Sequence, residues 1–102
     1  MAETIPKPSF FPYFHNFTAG TTTTEVELPS KTRTITIGSA SAALYVALNG
    51  ASDGGAVPSD RAFVPSGNYI SLKLGRNKEK PRSIFVAGQS GSAAVSIIIE
   101  EE

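Results

Sequence analysis

Alternation of apolar and polar residues constrains the fold of this chain more than any other feature. From Thr21 onward, β-branched and apolar residues recur with a period of two in short segments, at 21–28, 32–37, 43–48, 61–64, 69–74, 83–87 and 93–99. In one of them, Ile35 and Ile37 fall on one face and threonines on the other. This pattern is typical of half-buried strands in an antiparallel sheet. No window of eleven or more residues has apolar positions at helical spacing, so we expect no helix longer than one turn.

Turn-forming residues separate these segments. They include Asn49-Gly50, Asp53-Gly54-Gly55, Pro65-Ser66-Gly67-Asn68 and Gly88-Gln89-Ser90-Gly91. The chain has 102 residues, which is enough for one domain and not for two. We therefore predict an all-β fold, an antiparallel β-sandwich of about seven strands that is jelly-roll-like or immunoglobulin-like. Strand order does not follow from the sequence, so a small barrel also remains open.

Residues 1–20 differ in composition from the rest of the chain. They contain three prolines and five of the nine aromatic residues, namely Phe10, Phe11, Tyr13, Phe14 and Phe17. Because proline disfavours a regular helix, we predict an extended N-terminal arm at 1–20 and a sandwich domain at 21–102. Five rings exposed together would exceed the apolar patch that a soluble monomer normally tolerates. The arm is therefore expected to dock on a partner, which we favour, or to fold back onto its own sandwich.

Composition and charge argue against several classes of function. The absence of cysteine excludes disulfides and thiolate metal sites. Nine Lys and Arg against nine Asp and Glu argue against nucleic-acid or anionic-membrane binding. No stretch approaches the roughly 18 apolar residues of a membrane span, and we identify no signal peptide. His15 is the only histidine, and Asp53 and Asp60 are too few for a calcium loop. We expect a non-enzymatic protein without catalytic residues, cofactor or metal.

Two further groups of residues are candidates for binding. Lys78, Lys80 and Arg82 form a basic loop that is either a solvated hairpin loop or an electrostatic contact with an acidic partner. Tyr45 and Tyr69 fall on the strand faces opposite the apolar residues, where each tyrosine would be a surface or interface residue, or part of a glycan site.

The order of several segments resembles that of small all-β virion proteins of tailed bacteriophages. These segments are 42–50, 63–72, 83–88 and 93–98, and the resemblance extends from about Thr32 to Glu102. It implies a head decoration (cement) protein, or a collar or tail accessory protein, made in the host cytoplasm and located in the virion. It also implies a homo-oligomer, often a trimer, that binds the major capsid protein or another virion protein.

Two functions therefore remain open from the sequence. The first is a capsid decoration subunit that contacts the shell through Phe10, Phe11, Tyr13, Phe14, Phe17, Lys78, Lys80 and Arg82. The second is a glycan- or receptor-binding β-sandwich module of a tail or collar fibre.

Overall fold

Strands make up all the regular secondary structure in the computed structural model, which describes residues 3–5, 12–29, 32–48, 61–74 and 83–101. Within these ranges the strands are β1 (Glu3–Thr4), β2 (Tyr13–Ala19), β3 (Thr24–Glu27), β4 (Thr32–Gly38), β5 (Leu44–Ala47), β6 (Ala62–Val64), β7 (Tyr69–Lys73), β8 (Ser83–Gly88) and β9 (Ala93–Glu101). Each of the seven predicted segments contains a strand. Two more strands, β1 and β2, come from the region predicted to be an arm. No helix among the described residues is long and apolar enough to cross a membrane.

The strands form two sheets. The first sheet has the order β1-β3-β8-β5-β6, and the second has the order β2-β9-β4-β7. Neighbouring strands are antiparallel, except that β1 and β3 are parallel. The prediction of an antiparallel β-sandwich is thereby confirmed.

Residues at alternate positions of both sheets form one core. The larger fully buried side chains are Val26, Ile35, Ile37, Leu44, Val64, Ile84, Val86, Val95, Ile97 and Ile99. They include Val26, Ile35, Ile37 and Leu44, which period two predicts to point inward because successive side chains of a strand point to opposite faces. Leu48 departs from the expected pattern: it lies just beyond the end of β5 and is exposed.

Strand β2 incorporates part of the predicted arm into the second sheet. It pairs with β9 along its whole length, from Tyr13 opposite Ile99 to Ala19 opposite Ala93. The segment is extended, as its composition suggested. The predicted boundary at residue 20 falls directly after this strand, so that residues 13–19 lie within the sandwich.

The turn between β6 and β7 carries the chain from one sheet to the other. The Asn68 N–H donates a hydrogen bond to the Pro65 carbonyl (3.1 Å), and Gly67 has φ of +83°. A positive φ at this position favours glycine. The Gly67 N–H also donates to the Ser39 carbonyl (2.9 Å), which ties the turn to the end of β4. The predicted Pro-Ser-Gly-Asn turn is therefore confirmed, and it joins two edge strands.

Candidate functional site: two aromatic sheet faces

The first candidate site is the side of the first sheet that faces away from the core, which we call the outer face of the first sheet. In β5, Leu44 and Val46 are core residues, so Tyr45 and Ala47 point the other way. Cross-strand register extends this face to the neighbouring strands, where it includes Glu25, Phe63, Phe85 and Ala87. Arg61 directly precedes β6 and lies on the same face, over the Tyr45 ring.

Arginine and two aromatic rings form a cluster at the β6 edge of this face. Tyr45 lies opposite Phe63, and their ring centroids are 5.8 Å apart at an interplanar angle of 54°. The guanidinium carbon of Arg61 is 3.9 Å from the centroid of the Tyr45 ring, a cation–π contact. Phe63 is nevertheless 48% exposed. Arginine, tyrosine and phenylalanine are enriched in the centres of protein interfaces. The cluster therefore has the composition of a protein-binding surface.

A carboxylate lies at the opposite side of the same face. Glu25 on β3 is half-buried, and its Oε2 accepts a hydrogen bond of 2.8 Å from the Ser83 hydroxyl. This bond to a neighbouring strand restrains the carboxylate on the sheet surface. The outer face of the first sheet thus has a positive charge beside the edge strand β6 and a negative charge on β3, with aromatic residues between them.

The second candidate site is the outer face of the second sheet, which carries exposed rings at both edges. Phe14 on the edge strand β2 is 67% exposed and lies opposite Ile98. Tyr69 on the other edge strand is 45% exposed and lies opposite Gly38. The hydroxyls of Thr36 and Ser71, which share this face, are 2.9 Å apart. The face therefore combines aromatic rings with uncharged hydrogen-bonding groups.

The structure separates the residues that the sequence grouped as partner-binding. Phe14 points outward, whereas Tyr13 and Phe17 are half-buried and pack against the core. The inward position of these two rings accords with the alternative that the arm folds back onto its own domain. Five other candidates lie outside the described residues, namely Phe10, Phe11, Lys78, Lys80 and Arg82.

Sequence reasoning placed the two tyrosines correctly but missed the cluster around one of them. Tyr45 and Tyr69 lie on the faces opposite the core residues, as predicted. Arg61, Phe63 and Phe85 were not recognised as members of a site. The available signal was their position on strand faces opposite the apolar residues, but only the pairing of β5 with β6 and β8 brings them together.

The single histidine and the described glutamates lie on several strands, namely β1, β2, β3 and β9. His15 lies on β2, and its ring centroid is 6.2 Å from that of Phe17. Among the described residues, no group of three or more histidine, aspartate or glutamate side chains could hold a metal ion. Asp53 and Asp60, the two aspartates considered as calcium ligands, lie outside the described residues.

Comparison with known protein families, curated proteins and solved structures gives no match to this chain.

Proposed function

We propose that this chain is a non-enzymatic structural subunit of a bacteriophage virion, and specifically a capsid decoration (cement) subunit. The resemblance of its β segments to small virion proteins supports this role. The observation that carries the proposal is the exposure of Phe14, an aromatic side chain held outward on an edge strand. Its partner is the major capsid protein or another virion protein, and the chain reaches the virion after synthesis in the host cytoplasm.

Phe14 is suited to docking because its strand is already ordered. Residues 13–19 pair with β9 along their whole length, so little backbone entropy remains to be lost when a partner covers the ring. Burying a phenylalanine contributes roughly 1.5–3 kcal/mol. A cement subunit that makes such contacts at many equivalent positions on a shell would stabilise the shell through their combined energy.

The first test asks whether the chain is a virion component. Virions from a host that carries the gene would be purified on a density gradient and analysed for peptides of this chain by mass spectrometry. We expect the protein at a fixed, high copy number per particle. Its absence from purified virions would contradict the proposal.

The second test asks whether Phe14 contacts the shell. Purified protein would be added to particles made without this gene, and the bound copies would be counted. Phe14→Ser should weaken binding about tenfold or more, because 1.4 kcal/mol corresponds to a factor of ten. Leu48→Ser is the control, since Leu48 is also a large exposed side chain (41%) but lies just beyond the end of β5, which belongs to the other sheet. Equal binding by both variants would argue against the assigned contact.

Tyr69 favours a second candidate function, a glycan- or receptor-binding module of a tail or collar fibre. Its exposed ring lies beside uncharged hydroxyl groups, a combination that suits stacking and hydrogen bonding to a saccharide. The same protein would be tested on surface polysaccharide extracted from the host. Binding there that is lost in Tyr69→Ala, together with no binding to particles, would favour this candidate over the decoration subunit.

A further inference from the structure

Four of the described strands lie at the edges of the two sheets, and three of them are short or charged. β1 has two residues, one of them Glu3, and β6 has three residues and directly follows Arg61. β7 has five residues and ends at Lys73. Short edge strands and charged edge residues are two of the means by which proteins keep an edge from pairing with another chain. These three edges are therefore protected.

β2 is the described edge strand that has none of these protective features. It is seven residues long, from Tyr13 to Ala19, and contains no proline and no lysine, arginine, aspartate or glutamate. Each of its residues lies opposite a residue of β9 in unbroken succession, so no bulge twists this edge away. A long, uncharged and regular edge strand is a template for the addition of a further strand.

The outward residues of β2 match one another when two copies of the strand run antiparallel. Phe14, Asn16 and Thr18 are all exposed on the same face. If Asn16 lies opposite Asn16 of a second copy, Phe14 lies opposite Thr18 of that copy, and Thr18 opposite its Phe14. A ring beside a β-branched side chain is a favourable cross-strand pair. Two asparagine amides can hydrogen-bond to each other, since each has donors and an acceptor.

We propose that β2 pairs edge to edge with β2 of a second copy, in a homodimer that joins the two four-stranded second sheets into one continuous sheet. The two-fold axis is perpendicular to the sheet and passes beside Asn16. An axis in this direction keeps both cores on the same side of the joined sheet. The partner is a second copy because the exposed residues of the strand complement themselves, and because no charged side chain of β2 opposes another across the junction.

Strand length selects this register among those that keep the two faces matched. A shift of one residue would place outward side chains opposite inward ones, so the allowed registers differ by two. Centring the pair on Asn16 gives all seven residues an opposite residue. Centring it on His15 or Phe17 leaves the last two residues of each strand without one and removes Phe14 from Thr18. The register centred on Asn16 therefore forms the longest hydrogen-bonded ladder.

The proposal goes beyond the virion role, and it is tested in solution with the full chain alone. Phe14 still points outward in the joined sheet, so the dimer and a contact between Phe14 and a shell are independent. Sedimentation equilibrium at concentrations up to about 1 mM would detect even weak self-association. We expect a dimer. A monomer throughout this range, or a trimer, would overturn the proposal.

Disulfide cross-linking tests the register, because the chain has no cysteine of its own. Opposite residues of antiparallel strands have Cα atoms about 4.5–5.5 Å apart, which a disulfide can span. Asn16→Cys should therefore form a covalent dimer in the presence of oxidised glutathione.

Thr18→Cys is the matched control for cross-linking, since Thr18 is exposed on the same face of the same strand. In the proposed register Thr18 lies opposite Phe14, so the two copies of Thr18 are about 13 Å apart, too far for a disulfide. We expect Asn16→Cys to cross-link about tenfold faster or more. Equal rates for the two variants would show that the strands do not meet at Asn16.

Charged substitutions at Asn16 test the same contact without a covalent bond. Asn16→Lys and Asn16→Asp each place like charges opposite each other at the axis, and each should raise the dimer dissociation constant about fivefold or more. Ser71→Lys and Ser71→Asp are the controls. Ser71 is exposed on the same outer face but lies on β7 at the opposite edge, so these variants should dimerise normally.

Mixing the two charged variants gives the decisive result. In a heterodimer of Asn16→Lys with Asn16→Asp, opposite charges meet at the axis, so association should recover. Circular dichroism melts establish that each variant is folded, and the cysteine variant supplies the same test if a charged one is not. Failure of the mixture to associate more tightly than either variant alone would show that Asn16 does not face itself across a two-fold axis.

Discussion

At the scale of single residues, Gly38 is a position where two neighbouring strands leave no room for a side chain. This residue lies opposite Tyr69, and a Cβ at Gly38 would be 2.7 Å from two carbon atoms of the tyrosine ring. It would also collide with the backbone carbonyl of Asn68. The ring therefore occupies space that only glycine leaves open, a cross-strand pairing of the kind that stabilises glycines in sheets. This packing explains why Tyr69 lies close to the sheet while remaining partly exposed.

Gly38→Ala should consequently destabilise the protein by about 1–3 kcal/mol, since the carbonyl of Asn68 is backbone and cannot rotate away. Urea denaturation would measure the change in the free energy of unfolding. Gly20→Ala is the matched control, because a Cβ there meets no atom within 4 Å, and its effect should stay within about 0.5 kcal/mol. An equal effect of the two substitutions would contradict this account of the Gly38–Tyr69 contact.

At the scale of elements, β2 shows why the aromatic N-terminal region was difficult to interpret. Rings occur on both of its faces, since Tyr13 and Phe17 point to the core and Phe14 points outward. The alternation of apolar and polar residues that identified the other strands is therefore hidden. Deleting the N-terminal region therefore does not test docking alone. A chain that begins at Gly20 lacks β2, a strand of the second sheet, in addition to residues 1–12.

Point substitutions in β2 separate its two faces. Phe17→Ala should lower the free energy of unfolding by about 2 kcal/mol, less than for a fully buried phenylalanine because Phe17 is only half-buried. Phe14→Ala should change it by no more than about 0.5 kcal/mol, since most of that ring is already in solvent. Urea denaturation, monitored by circular dichroism, would measure both changes in the free energy of unfolding. A larger loss for Phe14 than for Phe17 would mean that the assignment of the two faces is inverted.

At the scale of the whole molecule, both sheets depend on one core. Residues of the first sheet such as Ile84 and residues of the second such as Ile37 belong to the same buried cluster. Neither sheet can bury its apolar face without the other. The two sheets are therefore expected to unfold together.

Ile84→Ala and Ile37→Ala should each destabilise the protein by about 2–5 kcal/mol, the usual range for truncating a fully buried isoleucine. In each variant, the unfolding transitions followed by far-ultraviolet circular dichroism and by tyrosine fluorescence should have the same midpoint. Separate midpoints, or a variant that shifts only one of the two signals, would indicate that the sheets unfold independently.

Local information in the sequence determined where the strands lie, which side chains face the core and where the chain turns. Ile35 and Ile37 point inward because side chains alternate along any strand, and Gly67 occupies its turn because glycine readily accepts a positive φ. Tertiary structure decided which strands became neighbours, because pairing depends on how segments distant in sequence share one core. Glu25, Phe85, Ala47 and Arg61 come from four separate segments, and only the order β3-β8-β5-β6 assembles them on one face.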